Sequence, residues 1–170
     1  DANIPEAIHG AFHGIMYNHG QNCSAGSRVF VHRKHYDLVV NELAKMVNKI
    51  ELGSGLHPQT DMGPLISKKQ QERVLKYIEE GIQEGARLVT GGKKVFEKGF
   101  FIQPTVFADV TDDMIIAKEE IFGPVVVVLS FDSIEEVIDR ANNTPFGLAA
   151  AVWTENIKTA HKVANKLKAG

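Results

Sequence analysis

The residues best suited to chemistry lie in one short polar stretch around the only cysteine of the chain. This stretch runs Asn-His-Gly-Gln-Asn-Cys-Ser-Ala-Gly-Ser-Arg over Asn18–Arg28, with Cys23 at its centre. A thiol attacks as its thiolate, which needs partial exposure and nearby hydrogen-bond donors. Gly20 and Gly26 let the backbone approach a ligand closely, and amides around the thiol can be aimed at a developing oxyanion. The stretch therefore predicts a loop that presents Cys23 as an accessible nucleophile.

The residues of this stretch also leave other interpretations open. A lone cysteine more often packs as a small buried hydrophobe, although polar neighbours argue against burial here. A cysteine acyltransferase or hydrolase would need a histidine base beside the thiol, and His19 is the only close candidate in the sequence. A scaffold or binding domain without catalysis would need neither residue. Residue types alone do not choose among these interpretations.

Composition places the chain among ordinary globular domains. Its 170 residues are 44% apolar and 24% charged, which predicts one domain with a real core. The formal net charge of -2 leaves no basic surplus, so we expect neither a nucleic-acid nor a membrane partner. A single cysteine cannot form an internal disulfide, which favours a cytoplasmic location. Because the chain starts at Asp1 rather than Met, we expect it to be a piece of a longer protein.

Helical and strand patterns alternate along the chain. Apolar spacing predicts helices over 4–17, 36–50, 67–85, 133–142 and 158–168, and strands over 28–33, 87–90, 100–109, 125–129 and 148–153. The continuous apolar run 125–129 is typical of a strand in the middle of a parallel sheet, whereas Pro104 places its strand at an edge or a bulge. The alternation predicts an α/β fold with an open, mostly parallel twisted sheet and helices on both faces.

Three further sequence features refine this outline. Ser67 with Gln70, and Ser133 with Glu136, have the spacing of a capping box at a helix start. Residues 52–65 have no periodicity and are rich in glycine and proline, so they predict a long loop of the kind that often carries function.

A second polar and aromatic motif follows near residue 120. It reads Glu-Glu-Ile-Phe-Gly-Pro-Val over Glu119–Val125. By residue type alone, Glu119 and Glu120 would form a solvated surface pair and Phe122 would belong to the core. His9 and His13 lie four residues apart on the first helix, but no glutamate follows His9 and no third ligand is evident, so the zinc-helix pattern fails.

The two motifs together resemble the signatures of the NAD(P)-dependent aldehyde dehydrogenases. Asn18–Arg28 resembles the catalytic cysteine segment of that family, and Glu119–Val125 resembles its second signature. Supporting matches lie at Asp61–Leu65, Phe101–Thr105 and Asn142–Ala150. The resemblance runs along the whole chain, and it implies the three-layer α/β/α catalytic domain of these enzymes.

The resemblance also implies chemistry and roles for individual residues. Cys23 is the residue that attacks an aldehyde carbonyl, giving a thiohemiacetal and then, after hydride transfer to NAD or NADP, a thioester that water hydrolyses to the acid. Glu120 is implied to hold the nicotinamide ribose hydroxyls, Phe122 to form a wall beside the same end of the cofactor, and Gln70 to contact the cofactor. Asn22 and Ser24 stand where some relatives have further cysteines.

Other parts of such an enzyme are missing from the sequence. No glycine-rich turn with a downstream acidic partner is present, and no general-base glutamate or oxyanion asparagine is assigned. We therefore expect residues 1–170 to be an incomplete catalytic domain that is inactive alone. The parent is expected to act on a small aldehyde and to be a homo-oligomer, either a dimer or a tetramer.

Overall fold

The computed structural model describes all residues from 1 to 170. It contains six helices: α1 Ile4–Met16, α2 Tyr36–Val47, α3 Lys68–Gln83, α4 Ile115–Lys118, α5 Ile134–Asn142 and α6 Ile157–Ala164. It contains six strands: β1 Arg28–His32, β2 Arg87–Thr90, β3 Lys94–Val95, β4 Phe101–Ile102, β5 Thr105–Ala108 and β6 Val125–Phe131. Single-turn 3-10 segments lie at Tyr17–Gly20 and Arg33–His35. None of the helices combines the length and apolar character that crossing a membrane requires.

Four strands form the main sheet in the order β1-β6-β5-β2. Strand β6 is parallel to both of its neighbours, β1 and β5, whereas β2 pairs antiparallel at one edge. Strands β3 and β4 form a separate antiparallel pair. The predicted α/β fold with an open, mostly parallel sheet is confirmed, and the apolar run at 125–129 lies in its middle.

The side chains of β6 show why that strand is apolar throughout. Successive side chains of a strand point to opposite faces of the sheet. Val126 and Val128 pack in a cluster with α1 and α2, whereas Val125, Val127 and Leu129 pack in a second cluster with α3 and α4. Both faces are covered, so neither set can be polar. The helices therefore lie on both sides of the sheet, in the three layers that were expected.

The prediction of a strand over 148–153 is wrong. This segment has no regular structure, and no neighbouring strand pairs with it. Leu148 is 57% exposed and Trp153 is 48% exposed, and the Trp153 ring packs beside Gly10 of α1. The apolar residue types of the segment were correctly recognised, but they form a strand only where a partner strand supplies the hydrogen bonds.

Of the two placements predicted from Pro104, an edge or a bulge, only the edge is wrong. Strand β5 is not at an edge, because it lies between β6 and β2. Pro104 instead separates β4 from β5 and comes just before Thr105, so its missing N–H interrupts no rung inside either strand. The ladder between β2 and β5 is irregular, with a register shift between Leu88 and Thr90.

Two helix starts match their predicted caps to different extents. Ser133 and Glu136 make the reciprocal hydrogen bonds of a full capping box at α5. At α3, the Ser67 hydroxyl accepts from the Gln70 amide, but the Gln70 side chain does not return to Ser67. Four helices end earlier than predicted, at Met16, Val47, Gln83 and Ala164.

Candidate active site

The loop that carries Cys23 begins with a strained reversal of the chain. After α1 ends, Asn18, His19 and Gly20 have φ values of 48°, 62° and 65°. This left-handed conformation is unfavourable for residues with a Cβ, although asparagine tolerates it best. The reversal delivers the chain to an exposed Cys23, in agreement with the accessible loop that its composition predicts.

Asn22 organises the turn around the thiol. Its Oδ1 accepts hydrogen bonds from the Ser24 amide at 3.3 Å and the Ser24 hydroxyl at 3.2 Å, and the Cys23 thiol lies 3.9 Å away. Its backbone carbonyl accepts from the Ala25 amide at 3.0 Å. From the sequence, Asn22 stands out only as a departure from relatives. The signal for its role was the residue type, because asparagine often hydrogen-bonds the backbone two residues further on.

The backbone amide of Cys23 is left free by this turn. The amides of Ser24 and Ala25 donate to Asn22, whereas the Cys23 N–H donates to no group of the chain. A free backbone donor on the same residue as an exposed thiol is suited to binding the oxyanion that forms when that thiol attacks a carbonyl.

Gly20 joins the cysteine loop to the second motif. It is buried, and a Cβ at this position would lie 2.0 Å from the Gly123 carbonyl oxygen and 3.1 Å from the Pro124 nitrogen. Only glycine permits this approach of two backbones. The two motifs precede the neighbouring parallel strands β1 and β6, so both lie at the amino end of the sheet. The structure thus brings together segments about a hundred residues apart.

Two side chains of α3 hold the second motif in place. The Gln70 amide nitrogen donates to the carbonyl of Phe122 at 2.7 Å and to that of Ile121 at 3.2 Å. Arg73 donates to the carbonyl of Glu120 at 2.7 Å. Phe122 has a φ of 59°, a strained value that such contacts must sustain. The role of Arg73 could not be predicted from the sequence, because nothing in its helical spacing indicates a bond to a loop almost fifty residues away.

The predicted cofactor residues differ in the atoms they leave available. The side chain of Glu120 is exposed and makes no hydrogen bond or ion pair within the chain, so both carboxylate oxygens can accept from a ligand. Phe122 is partly buried rather than a core residue. Gln70 has its amide nitrogen engaged with the Phe122 loop, which leaves Oε1 as its available acceptor.

His19 does not pair with the thiol. Its Nε2 accepts a hydrogen bond from the Gly63 amide at 2.9 Å, and its buried Nδ1 has no partner. A ring nitrogen that accepts from a backbone N–H has its lone pair engaged, so it cannot accept a proton from Cys23. The rings of His9 and His13 are 6.4 Å apart, and no group of three potential metal ligands occurs in the chain.

A cavity of about 890 Å³ opens beside the cysteine loop. Asn22 and Ser24, the two neighbours of Cys23, contribute to its wall. Its apolar lining includes Phe12, Met16 and Met62. Polar residues, among them His13, Lys49 and Asp61, form much of the remaining wall, so the lining is mixed in character.

Sequence comparison identifies the family to which the chain belongs. The chain matches the model of the aldehyde dehydrogenase family over residues 1–170. The chain belongs to the aldehyde dehydrogenase family. Its structure superimposes with a TM-score of 0.99 on an aldehyde dehydrogenase from Bacillus cereus solved as an NAD+ complex, at 71% sequence identity, covering 100% of this chain and 35% of that one.

Other aldehyde dehydrogenases show the same relationship. The chain is 51% identical over 174 residues to betaine aldehyde dehydrogenase of Brucella anthropi, covering 100% of this chain and 36% of that protein. It is 48% identical over 170 residues to human (Homo sapiens) retinal dehydrogenase 2, covering 100% of this chain and 33% of that protein. The chain thus spans about a third of the length of these relatives. The resemblance given by the two motifs is confirmed.

Proposed function

We propose that the whole protein carrying this chain oxidises an aldehyde to a carboxylic acid with NAD or NADP, and that Cys23 is the nucleophile. The observation that carries this proposal is the backbone contact between Gly20 and Gly123. Through it, the loop with an exposed thiol lies against the segment with an unpaired, exposed carboxylate, Glu120. Family membership supports both roles.

The residues of the chain account for the steps at sulfur. The Cys23 thiolate attacks the aldehyde carbon, the carbonyl π bond breaks, and the Cys23 N–H donates to the resulting oxyanion. The thiohemiacetal then loses hydride from the former aldehyde carbon and becomes a thioester. Water adds to the thioester carbonyl, the C–S bond breaks, and the acid leaves with the thiol regenerated.

The second motif supplies the contacts to the cofactor. NAD or NADP, when bound, accepts the hydride. Glu120 would hold the nicotinamide ribose, since a carboxylate is well suited to accept hydrogen bonds from neighbouring hydroxyls. Phe122 lines the same part of the cofactor, and Gln70 contributes through Oε1 while its nitrogen holds the Phe122 carbonyl. The fit rests on an exposed carboxylate that no group of the chain neutralises.

The proposal extends to the remaining parts of the enzyme. Residues 1–170 form a portion of its catalytic domain, and the general base, the asparagine of the oxyanion site and the cofactor phosphate site come from the rest of the protein. The chain alone is therefore inactive. The substrate is a small aldehyde that enters through the cavity beside Asn22 and Ser24. We place the enzyme in the cytoplasm as a homo-oligomer.

Replacing the proposed nucleophile tests this function. In the whole protein, Cys23→Ala should lower aldehyde-dependent formation of reduced cofactor by at least about 10⁴-fold, as expected for loss of a covalent nucleophile. Ser24→Ala is the matched comparison: it removes a neighbouring hydroxyl that donates to Asn22 and lines the cavity, so its loss should be far smaller than that of the nucleophile. Oxidation that persists in Cys23→Ala would assign the chemistry to another residue.

A further inference from the structure

We propose that His19 is a positioning residue for Cys23. It holds the cysteine loop against residues 52–66, which we call the platform loop. The contact is a hydrogen bond that requires the Nε2 atom of His19 to be an acceptor. The bond is the one from the Gly63 amide to Nε2, 2.9 Å long. The proposal rests on the proposed function, because positioning is judged by aldehyde oxidation at Cys23. It assigns a role to a histidine and a loop that the reaction itself does not use.

The platform loop is fixed independently of the cysteine loop. The Glu51 amide donates to Asp61 Oδ2 at 2.9 Å, and the Gly53 amide donates to the Met62 carbonyl at 3.1 Å. Met62 is buried at 5% exposure in the cluster under α1 and α2. The Gly63 amide therefore belongs to an anchored part of the chain and can act as a fixed point for His19.

The cysteine loop depends on such fixed points. Asn18 and His19 hold left-handed backbone conformations, which persist only where surrounding contacts determine them. His19 meets the platform loop on one side of Gly20, and Gln21 meets it on the other, where its Oε1 accepts from the Ile66 amide at 3.1 Å. Between them, Gly20 rests on the Gly123 carbonyl. These three contacts define the path of the chain two residues before Cys23.

The imidazole has no second partner that could take over this role. Its Nδ1 is buried and bonded to nothing in the chain. Since Nε2 accepts, Nδ1 carries the ring proton. The ring is thus held by Gly63 alone, and its contribution to the loop is that of one correctly placed acceptor.

Two substitutions separate the acceptor from the backbone conformation. In glutamine, Oε1 lies three bonds from Cβ, as Nε2 does in histidine, so His19→Gln can restore the bond to Gly63. In asparagine, Oδ1 lies only two bonds from Cβ and falls short, but asparagine tolerates the left-handed backbone better than glutamine does. Comparing His19→Gln with His19→Asn therefore shows whether position 19 needs a hydrogen-bond acceptor for Gly63 or only a residue that tolerates the left-handed backbone.

The test measures hydrogen exchange at the Gly63 amide and steady-state kinetics in the whole protein. His19→Ala and His19→Asn should exchange faster at Gly63 and lose about tenfold or more in kcat, with a smaller change in the KM for cofactor, as expected for a displaced nucleophile. His19→Gln should keep slow exchange and stay within about threefold of the parent kcat. Circular dichroism establishes that each variant is folded, and the asparagine and glutamine pair decides the result if His19→Ala does not fold.

The outcomes are separable from those for the proposed function. If folded His19→Asn keeps full kcat, or if His19→Gln loses as much as His19→Asn, the acceptor role is overturned. If Cys23→Ala retains oxidation, the proposed function fails instead, whereas Gly63 exchange still reports whether the bond exists. An inactive Cys23→Ala together with unchanged Gly63 exchange in His19→Asn overturns only the role of His19.

Discussion

The polar groups at the two ends of the main sheet differ in whether they have a hydrogen-bond or ion-pair partner within the chain. At the amino end, the Cys23 N–H and the Glu120 carboxylate have no partner within the chain. At the carboxyl end, charged side chains are paired with one another: Arg33 with Asp132, Arg87 with Asp109, and the partly buried Arg140 with both Asp112 and Glu136. The polar groups at the carboxyl end of the sheet are thus bonded to one another, whereas those at the amino end are available to a ligand.

The ion pairs at the carboxyl end also lower the pKa values of several carboxyl groups. The hydrogen bond from Arg87 holds the pKa of Asp109 below its ordinary value. Backbone N–H donation from Asp132, followed by the hydrogen bond from Arg140, lowers the pKa of Glu136. The paired groups stabilise the fold, whereas the proposed function gives the unpartnered groups at the amino end their role in binding and chemistry. Changes at the two ends should therefore separate activity from stability.

The largest effect is expected where the amino end is most crowded. Gly20→Ala would place a Cβ 2.0 Å from the Gly123 carbonyl oxygen in a backbone with a φ of 65°. Strain and overpacking should together cost about 2–4 kcal/mol of unfolding free energy, and activity should fall with the displaced loop. Thermal denaturation and turnover measure both losses.

Gly26→Ala in the same loop is the control for this change. A Cβ there meets no atom within 4 Å, so the unfolding free energy should remain close to that of the parent. Equal losses in the two variants would mean that the Gly20 contact is not what joins the motifs.

Glu120 offers a change that affects the amino end without affecting the fold. Glu120→Gln should raise the KM for NAD or NADP about tenfold or more, because a charge-assisted hydrogen bond is replaced by a neutral one. Stability should not change, since the side chain is exposed and unpaired. Glu119→Gln, which changes an adjacent exposed carboxylate, should leave the KM unaltered. An equal rise in both variants would point to overall charge rather than to a contact.

Arg140 offers the opposite separation at the carboxyl end. Its guanidinium binds Asp112 at 2.6 Å and Glu136 at 2.8 Å, and it also donates to the Ser130 carbonyl at 2.6 Å. Arg140→Met should lower the unfolding free energy by about 1–3 kcal/mol, the range for a partly exposed network, while kcat stays near the parent value. Urea denaturation gives the first quantity, and Arg33→Met, at a far more exposed pair, should lose less. A large loss of kcat in folded Arg140→Met would contradict the division between the two ends.

The smallest effect is expected at Asp109 and depends on pH. Because the folded-state pKa of Asp109 is lowered, its pairing stabilises the fold above the ordinary aspartate pKa of about 3.9 and is lost as the pH falls toward the lower folded value. Asp109→Asn keeps a residue that tolerates the φ of 55° but removes the charge. The substitution should lower the unfolding free energy by no more than about 1 kcal/mol at neutral pH, because the ion pair is exposed. In acid it should leave the unfolding free energy unchanged. Unfolding measured across pH should show the two curves converging; a constant gap would exclude the ion pair as the cause.

Much of the fold could be predicted from the sequence because burial leaves a periodic pattern. The run 125–129 correctly indicated a central strand, and Ser133 with Glu136 correctly indicated a capped helix. The segment 148–153 has a strand-like composition but forms no strand. Apolar residue types indicate that a segment favours burial, but they do not indicate whether a neighbouring strand is there to pair with it.

The candidate site was less predictable from pattern alone. Cys23 was noticed for its residue type, and Glu120 and Phe122 were assigned by family resemblance. The contact that brings them together is between the backbones of Gly20 and Gly123. The presence of a glycine in the sequence does not indicate which distant carbonyl it contacts. The bonds from Gln70 and Arg73 to the second motif likewise depend on how the loop packs against α3, which no periodicity encodes.

The most direct test of this account is the covalent state of Cys23 during turnover. The whole protein should be mixed with an aldehyde and oxidised cofactor, quenched in acid, digested and analysed by mass spectrometry. The account predicts a peptide containing Cys23 that is heavier by the aldehyde less two hydrogens, and that forms only when the cofactor is present. An acyl group on another residue, or an acyl group on Cys23 that forms without cofactor, would contradict it.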